Sequence, residues 1–523
     1  MRPPIRQISN PKPVSRMNWL YGIVIAVLQI GPASAQNLGQ WSAVVLFPNI
    51  PVSAAVLPNG KVLTWSAYQP NALEGDIGMV PGQTYNSTYD PVTGVVTAGA
   101  IDSMMADMFC SGIAYLTDGR VMVNGGSSSR HTALYNPLTD AWAPTAMMNI
   151  ARGYNSTVTL STGEAFTIGG SWSGDGLPKD GEVWSAAAGW RQTGISETNI
   201  LAYDPLDGVQ GYISQGDAYP WLFAASKGRV FHAGPSPQMN WIDTTGEGSI
   251  TPVGNRADDA HSVNGVAVMY QPGKILKAGG APSFSKADAS ASAYLIDITA
   301  GMVNPAAAPV VRKLTPMAHA RAFANGVALP GGQVLIIGGQ SYALTFSDDT
   351  SVLAPEVWNP QTESFIELAP MATPRNYHSV AVLLPDARVF SGGGGLCGDC
   401  DTNHLDGAIF SPPYLFKPDG VTPLVRPMLT ALSSSTAALG STLWAATNGP
   451  VASFELIRLS ATTHTVNNDQ RRVPLTITGK TPNNVYALAV PADPGLVVPG
   501  YWMLFAMDAY GTPSVSKIVL IKG

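Results

Sequence analysis

The sequence predicts an all-β protein of two domains, and three observations support that prediction. The composition disfavours helices, a strand motif ending in two glycines recurs, and the pattern changes towards the C-terminus. Of 523 residues, 54 are Gly and 42 are Pro, and both residue types interrupt helices. Hydrophobic residues at 45% and charged residues at 12% exclude a disordered chain. The formal net charge of −6 disfavours nucleic acid as a partner, because such binding needs a basic surface.

The first 35 residues predict an export signal. Basic residues from Arg2 to Arg16 precede an apolar stretch over 17–30, and Ala33-Ser34-Ala35 has the small residues of a cleavage site. The apolar stretch is shorter than the roughly 20 residues that span a bilayer. We therefore expect residues 1–35 to be removed and no membrane span to remain. The protein is then expected to be secreted, either extracellular or, in a bacterium, periplasmic; an uncleaved anchor is the alternative.

Short strand-like runs that end in Gly-Gly recur along the chain. Complete or degenerate versions end at or near Trp65, Gly126, Gly170, Gly234, Gly280, Gly339 and Gly395. Each unit also contains turn residues and further short strands. A period of about 50 residues with four short strands is typical of a kelch-type propeller blade. We therefore predict a seven-bladed β-propeller over residues 36–424.

The pattern changes over residues 425–523, where the Gly-Gly motif is absent. Strand-like runs separated by turns remain, namely SFELIRL, VPLTITG, VYALAVP and YWMLFAMD. A segment of about 100 residues made of short strands is typical of an immunoglobulin-like β-sandwich. The sequence therefore predicts this fold for the C-terminal domain.

A common register between blades brings chemically active residues together. Counting back seventeen residues from the first glycine of a pair reaches a triplet whose third residue aligns between blades. The aligned residues in blades two, three, six and seven are Cys110, Tyr154, Phe323 and Tyr377. Equivalent positions in a propeller lie at one height around the axis. We therefore expect these side chains, with His378 next to Tyr377, to face one channel.

The ordinary alternative is that these side chains are simply blade core, with Cys110 a small buried hydrophobe. Their convergence on one axial position favours a metal site. Phenolate and imidazole ligands together suit a redox-active transition metal, and copper is favoured by the affinity order. A phenol also ionises more readily beside a divalent cation.

The two remaining cysteines, Cys397 and Cys400, form a C-x-x-C motif. From spacing alone this motif is half of a zinc site or a thioredoxin-like redox pair. The sequence has no second C-x-x-C and no βαβ pattern around this one. Three cysteines are also too few for a disulfide scaffold.

A long series of motifs resembles the copper radical oxidases, the galactose oxidase and glyoxal oxidase group. The resemblance extends from about residue 40 to the C-terminus. Its motifs are DMFCSGI (107–113), ARGYNST (151–157), TIGGSWSG (167–174), AGPSPQMNW (233–241), NYHSVAVLLPDARVFSGGGGLCGDCDTNH (376–404), TTHTVNNDQRR (462–472) and PGYWMLF (499–505). Unlike galactose oxidase, the chain is expected to have no carbohydrate-binding module ahead of the propeller.

The resemblance implies a copper site and a cofactor made from the protein. In this family a loop of the last domain enters the propeller channel and supplies one ligand. The implied copper ligands are Tyr154, Tyr377, His378 and His464. Cys110 is implied to join Tyr154 through a thioether that carries a radical, with the Trp172 indole stacked on the joined ring. The resemblance alone supplies His464, and it also implies a disulfide between Cys397 and Cys400.

The implied activity is the oxidation of a primary alcohol to an aldehyde, with dioxygen reduced to hydrogen peroxide. Axial Tyr377, as a phenolate, is implied to take the hydroxyl proton as general base. The radical on the Tyr154–Cys110 unit then abstracts hydrogen from the adjacent carbon. The expected partners are a small-molecule alcohol and dioxygen, and we expect a monomer.

The candidate substrate pocket departs from the galactose oxidase pattern. Gln215 stands where that enzyme has its galactose-binding arginine, and Ser285, beside Phe284, replaces a glutamine. Leu73 replaces one phenylalanine of the pocket, whereas Phe346 matches its aromatic counterpart. Losing the guanidinium removes the most directional contact to a sugar hydroxyl. We therefore expect weak activity on galactose and a preference for benzylic, furanic or aliphatic alcohols.

Two other functions fit parts of the sequence. The first is a glyoxal-type aldehyde oxidase acting on hydrated aldehydes, although Trp172 argues mildly against it. The second is a non-catalytic propeller that binds glycans or a protein partner. The complete set of candidate ligands disfavours the second, because a binding module does not need an unusual metal site.

Overall fold

The computed structural model describes residues 37–73, 82–101, 106–202 and 216–523, and the predicted export signal lies outside them. Nearly all regular structure in these ranges is β-strand, which confirms the all-β prediction. The helical segments described are an α-helix at Thr299–Val303 and 3₁₀ turns at Glu197–Asn199, Ser226–Gly228, Pro330–Gly332 and Pro413–Leu415. Within these ranges no helix has the length and apolar character to cross a membrane.

Seven antiparallel sheets form the blades of a β-propeller, which confirms the prediction from the repeat. In blades one to six, consecutive strands of the blade pair in chain order from the axis outwards, and most first strands contact the first strand of a neighbouring blade. Blade one contains Ser53–Val56, Val62–Trp65, Thr84–Tyr89 and Val96–Ile101; blade two Gly112–Tyr115, Val121–Asn124, Thr132–Asn136 and Ala141–Pro144; blade three Ser156–Thr159, Ala165–Ile168, Glu182–Ser185 and Gly189–Gln192. Blade four contains Trp221–Ala224, Arg229–Gly234, Gln238–Asp243 and Ser249–Asn255; blade five Val266–Gln271, Lys274–Ala278, Ala293–Asp297 and Val310–Lys313; blade six Asn325–Ala328, Val334–Ile337, Glu356–Asn359 and Ser364–Glu367.

Blade seven closes the ring with strands from both ends of the propeller. Its inner strands are Ser379–Leu383, Val389–Gly393 and Asp406–Ser411. The outer strands are the short N-terminal segments Gln40–Trp41 and Val45–Leu46, both antiparallel to the third strand. Pairing the start of the propeller with its last blade covers an edge that would otherwise be exposed.

The C-terminal domain has the predicted β-sandwich architecture. Its strands are Leu429–Leu432, Thr436–Ala438, Thr442–Thr447, Ser453–Arg458, Arg472–Lys480, Val485–Ala489, Gly500–Met507 and Lys517–Lys522. Residues of different strands, such as Leu443, Leu456 and Trp502, are buried in one apolar core. The boundary between the domains, predicted between 424 and 425, stays a prediction.

The Gly-Gly motif exists because neighbouring blades touch at that point. The second glycine of blade two, Gly126, donates its N–H to the Arg152 carbonyl of blade three at 2.9 Å. A methyl group on Gly125 would lie 2.6 Å from the same carbonyl oxygen, and the φ of Gly125 is +79°. A side chain at this position would therefore push the blades apart and strain the backbone.

In three blades a buried arginine binds the carbonyl of the first glycine of the pair, and this bond fixes the spacing between the two residues. Arg152 Nη1 donates to the carbonyl of Gly169 and Arg321 Nη1 to that of Gly338, both at 3.0 Å. In blade seven Arg375 makes the corresponding bond to Gly393 at 3.0 Å. Each of these guanidinium groups also pairs with a carboxylate of its own blade, and these are Glu182, Glu356 and Asp406.

The predicted register is wrong by one residue in blade seven. The arginine bond shows that the equivalent glycine pair begins at Gly393, whereas the prediction counted from Gly392. The residue equivalent to Cys110 and Tyr154 is therefore His378 and not Tyr377. All three have left-handed backbone, with φ of 61°, 69° and 69° respectively. Blade seven has four glycines in a row, so the sequence does not reveal which two form the pair.

A loop of the C-terminal domain, residues 461–471, fills the axis of the propeller; we call it the axial loop. Its first residues, Ala461–Thr463, form a fifth strand against Ser53–Val56 of blade one. Its side chains then bond to the backbone of other first strands. Asp469 accepts from Tyr115 N at 2.8 Å, Asn468 accepts from Leu222 N at 3.1 Å and donates to Thr157 O at 3.3 Å, and Gln470 accepts from Ala328 N at 2.9 Å and donates to Gly326 O at 2.7 Å.

We expect Gln470→Ala to lower the free energy of unfolding by about 2–4 kcal/mol, because it leaves a buried N–H and a buried carbonyl of blade six without partners. The measurement is urea unfolding of the copper-free protein followed by tryptophan fluorescence. Gln361→Ala, at an exposed position of the same blade, is the control. A loss no larger than that of the control would contradict the stabilising role of the axial loop.

Candidate metal centre

Five predicted site residues meet where the axial loop reaches the propeller. The Cys110 Sγ and one ring nitrogen each from His378 and His464 lie within 4.8 Å of one another. The Tyr154 and Tyr377 hydroxyl groups hydrogen-bond to each other, and the Tyr377 ring stacks on the His378 ring with centroids 3.7 Å apart. All five side chains are buried. Their roles as ligands stay a prediction.

The repeat aims these side chains at the axis. Cys110, Tyr154 and His378 each occupy the left-handed position ahead of the first strand of their blade. His464 has φ of 47° on the axial loop. A non-glycine residue in this conformation costs roughly 1–2 kcal/mol, so four such residues at one point indicate strain held in place by the surrounding fold.

The two imidazoles present the same nitrogen to the centre. His378 bonds through Nδ1 to the Gly395 carbonyl, so Nδ1 carries the hydrogen. Its Nε2 is buried and has no hydrogen-bond partner among the described residues. His464 Nδ1 lies 2.7 Å from Thr463 Oγ1, and its Nε2 lies 3.5 Å from Cys110 Sγ. A buried Nε2 without a hydrogen, beside an engaged Nδ1–H, is the form in which histidine binds metals.

Burial keeps the centre uncharged without a metal. It lowers the pKa of His378 to about 3. Burial, and secondarily the charge of His378, lower the pKa of His464. Burial also raises the pKa of the Tyr154 and Tyr377 phenols. Two neutral imidazoles and two phenols that need a cation to ionise fit a divalent copper ion.

The Tyr154 ring lies between the groups predicted to modify it. Tyr154 N donates to Cys110 O at 2.8 Å, and both side chains belong to one buried apolar cluster. The Trp172 indole stacks on the ring with centroids 5.0 Å apart and planes 10° apart. Phe284 also lies nearly parallel to Tyr154, with centroids 5.6 Å apart. The thioether between Cys110 and Tyr154 and the role of Trp172 stay predictions.

Among the candidate pocket residues, two phenylalanines lie beside the Tyr377 ring. Phe346 lies 5.2 Å from the Tyr377 ring and Phe284 lies 5.7 Å from it. Leu73 is partly buried and packs against the apolar cluster that contains Phe284 and Tyr377. The Ser285 hydroxyl accepts from Thr345 N at 3.3 Å. Gln215 lies outside the described residues.

Cys397 and Cys400 form a disulfide, as the resemblance implies, and this excludes the zinc half-site. The segment around it supports the centre through its backbone. Gly395 O is the partner of His378 Nδ1, and Leu396 O accepts from Leu73 N at 3.2 Å.

Tyr219 was not predicted from the sequence, yet it contacts the centre. Its hydroxyl lies 3.1 Å from His464 Nδ1, and its ring centroid lies 4.7 Å from that of His464 and 5.0 Å from that of Tyr154. A signal for it exists, because counting back seventeen residues from Gly234 gives the triplet that ends at Tyr219. The same count from Gly279 gives Asn264 of blade five, whose amide donates to Phe284 O at 2.9 Å.

Comparisons with known proteins agree with the geometry. The galactose oxidase-like early set domain matches residues 426–521, and the glyoxal oxidase N-terminus matches residues 266–398. Galactose oxidase of Gibberella zeae is 40% identical over 497 residues, which are 94% of this chain and 71% of that protein. An aldehyde oxidase, GLOX, of Vitis pseudoreticulata is 31% identical over 229 residues, which are 40% of this chain and 43% of that protein.

A solved structure matches almost the whole chain. It is described as a novel fungal alcohol oxidase with catalytic diversity among the AA5 family, in complex with copper. The TM-score is 0.87 at 39% sequence identity, and the match covers 93% of this chain and all of that one. Galactose oxidase also matches 94% of this chain. The chain therefore belongs to the copper radical oxidases, the galactose oxidase and glyoxal oxidase group.

Proposed function

We propose that this copper oxidase is a secreted enzyme that prefers benzylic, furanic or aliphatic primary alcohols to galactose. Family membership makes it an oxidase that acts on alcohols with dioxygen. The observation that carries the substrate preference is the pair of phenyl rings, Phe284 and Phe346, beside Tyr377. Secretion is supported by the signal pattern at 1–35 and by the disulfide, which persists in oxidising compartments.

In this proposal Tyr154, Tyr377, His378 and His464 hold the copper. Copper, when bound, supplies Lewis acidity towards the alcohol oxygen and accepts one electron. Tyr377, as a phenolate, accepts the alcohol proton at its phenolate oxygen. Its position is supported by the hydrogen bond to Tyr154 and the stack on His378.

Tyr154 takes the hydrogen atom from the alcohol carbon, acting as the radical half of a thioether with Cys110. The bond from Tyr154 N to Cys110 O and the place of both side chains in one buried apolar cluster support this pairing. The Trp172 indole covers one face of the phenol ring and excludes water from it. Over one turnover the alcohol loses two protons and two electrons, and dioxygen gains the same two protons and two electrons to become hydrogen peroxide.

A preference for less polar alcohols follows from what surrounds Tyr377. Two phenyl rings provide apolar surface for an aryl or alkyl group. The Ser285 hydroxyl is engaged by Thr345 N, and Gln215 cannot supply the two-pronged contact that an arginine makes. A sugar would therefore lose water at its hydroxyl groups without regaining equivalent bonds.

An aldehyde oxidase of the glyoxal type is the second candidate. It is supported by the match of the glyoxal oxidase N-terminus and by the plant aldehyde oxidase. The match to galactose oxidase is both longer and more identical, and the indole stack at Tyr154 favours the alcohol oxidases. Rates of peroxide release on a panel of alcohols and aldehydes distinguish the two activities.

We expect kcat/KM for benzyl alcohol to exceed that for galactose at least tenfold, a difference of about 1.4 kcal/mol in transition-state binding. Phe346→Ala should lower kcat/KM for benzyl alcohol because one apolar wall is lost. Peroxide release is measured on a panel that includes glyoxal and methylglyoxal. The control is Tyr510→Ala, at a side chain that is 94% exposed in the C-terminal domain. A protein that is faster on galactose, or on the aldehydes, contradicts the preference.

We expect Cys110→Ser to bind copper but to lose about 10³-fold in turnover, equivalent to about 4 kcal/mol. Serine leaves the four proposed ligands in place but cannot form the thioether. Copper content and peroxide release are measured on the same preparation. Peptide mapping of the unchanged protein should show the Cys110 and Tyr154 peptides joined with the loss of two hydrogens. Full turnover by the serine variant would show that the radical cofactor is wrongly assigned.

A further inference from the structure

Tyr219 is a buried tyrosine beside the centre for which the proposed reaction has no use. It precedes the first strand of blade four, at the position that Cys110, Tyr154 and His378 occupy in their own blades. Its side chain is almost fully buried, and its φ is 46°. A tyrosine in this costly conformation has its ring and hydroxyl fixed in direction by the fold.

Tyr219 contacts the imidazole of His464 through both its ring and its hydroxyl. The two rings stack with centroids 4.7 Å apart and planes 22° apart. The hydroxyl lies 3.1 Å from Nδ1. Tyr219 N also donates to Tyr154 O at 2.7 Å, so its backbone is fixed to the neighbouring blade.

The other polar contact to His464 Nδ1 comes from the axial loop itself. Thr463 Oγ1 lies 2.7 Å from Nδ1. Its hydroxyl donates to Val52 O at 3.3 Å and accepts from Ser53 Oγ at 3.0 Å. Because its own hydrogen is directed at Val52, Thr463 accepts from the imidazole. Nδ1 therefore carries the hydrogen, and Nε2, which lies 3.5 Å from Cys110 Sγ, keeps its lone pair.

We propose that Tyr219 is a positioning residue that docks His464 onto the propeller and orients it for copper. Its hydroxyl is the second acceptor for the Nδ1–H, and its ring sets the plane of the imidazole. Thr463 belongs to the axial loop, which pairs with blade one, whereas Tyr219 belongs to blade four. The Tyr219 contact therefore fixes the imidazole relative to the ligands contributed by the blades. This inference rests on the proposed role of His464 as a copper ligand.

The expected effect is on copper binding more than on folding. Loss of an outer partner of a metal-bound histidine typically costs 10–100-fold in affinity or activity. Because Thr463 still accepts from Nδ1 in Tyr219→Phe, we expect a value near the lower end, about tenfold. Tyr219→Leu also removes the ring stack and should weaken copper binding further.

The test measures the copper(II) dissociation constant of the copper-free protein by competition with a chelator, and the EPR spectrum of the copper(II) form. Tyr219→Phe should raise the dissociation constant about tenfold and change the copper hyperfine splitting. The melting temperature of the copper-free variant should remain close to that of the unchanged protein. The control is Tyr270→Phe, because Tyr270 is as buried as Tyr219 but packs on Trp358, between blades five and six.

Two further results separate this inference from the proposed function. If His464→Ala binds copper as tightly as the unchanged protein, His464 is not a ligand and the proposed centre is wrong. If His464→Ala loses copper but Tyr219→Phe keeps a dissociation constant within twofold and an unchanged EPR spectrum, the positioning role of Tyr219 is wrong. A melting temperature that falls in Tyr219→Phe without any spectral change also overturns it, because the residue would then be purely structural.

Discussion

The structure depends on the hydrogen bonds between the axial loop and the first strands of the blades. A ring of blades leaves one edge of each first strand facing the axis, with N–H and C=O groups that need partners. Side-chain amides and a carboxylate of the loop supply them in blades two, three, four and six, and a paired strand supplies them in blade one. The buried Arg458–Asp469 ion pair ties the loop to its own domain. Stability and the placement of His464 therefore depend on the same contacts.

The blades contribute to the centre through one recurring backbone position. At that position the chain has left-handed φ and turns towards the axis just before the first strand. Six blades place a non-glycine residue there, and these are Cys110, Tyr154, Tyr219, Asn264, Phe323 and His378. The fold holds the position constant while the side chain varies among thiol, phenol, amide, phenyl and imidazole. The chemistry of the site is therefore a matter of which side chain each blade presents, on a scaffold that itself implies no activity.

The sequence predicted the parts of this arrangement that the repeat encodes, and it missed the parts that the repeat hides. The glycine pairs predicted the blades and the proximity of Cys110 to Tyr154, because the contact between blades requires them. The glycine run of blade seven concealed the register by one residue. Tyr219 was hidden because blade four has Gly234-Pro235 where other blades have two glycines. His464 lies on a loop outside the repeat, so only the family resemblance indicated it. The partner of His378, a backbone carbonyl, has no signature in the sequence.

One physical cause, burial, acts on the two kinds of proposed ligand in opposite directions and makes them suitable for a divalent cation. It lowers the pKa of His378 and His464 and raises that of Tyr154 and Tyr377. A charged imidazole or phenolate in the centre is therefore unfavourable unless an opposite charge accompanies it. A dication held by two phenolates and two neutral imidazoles is uncharged overall, so the ion and the ionised phenols stabilise each other. The low polarity that excludes isolated charges thus favours an occupied centre, and it also favours an apolar substrate beside Phe284 and Phe346.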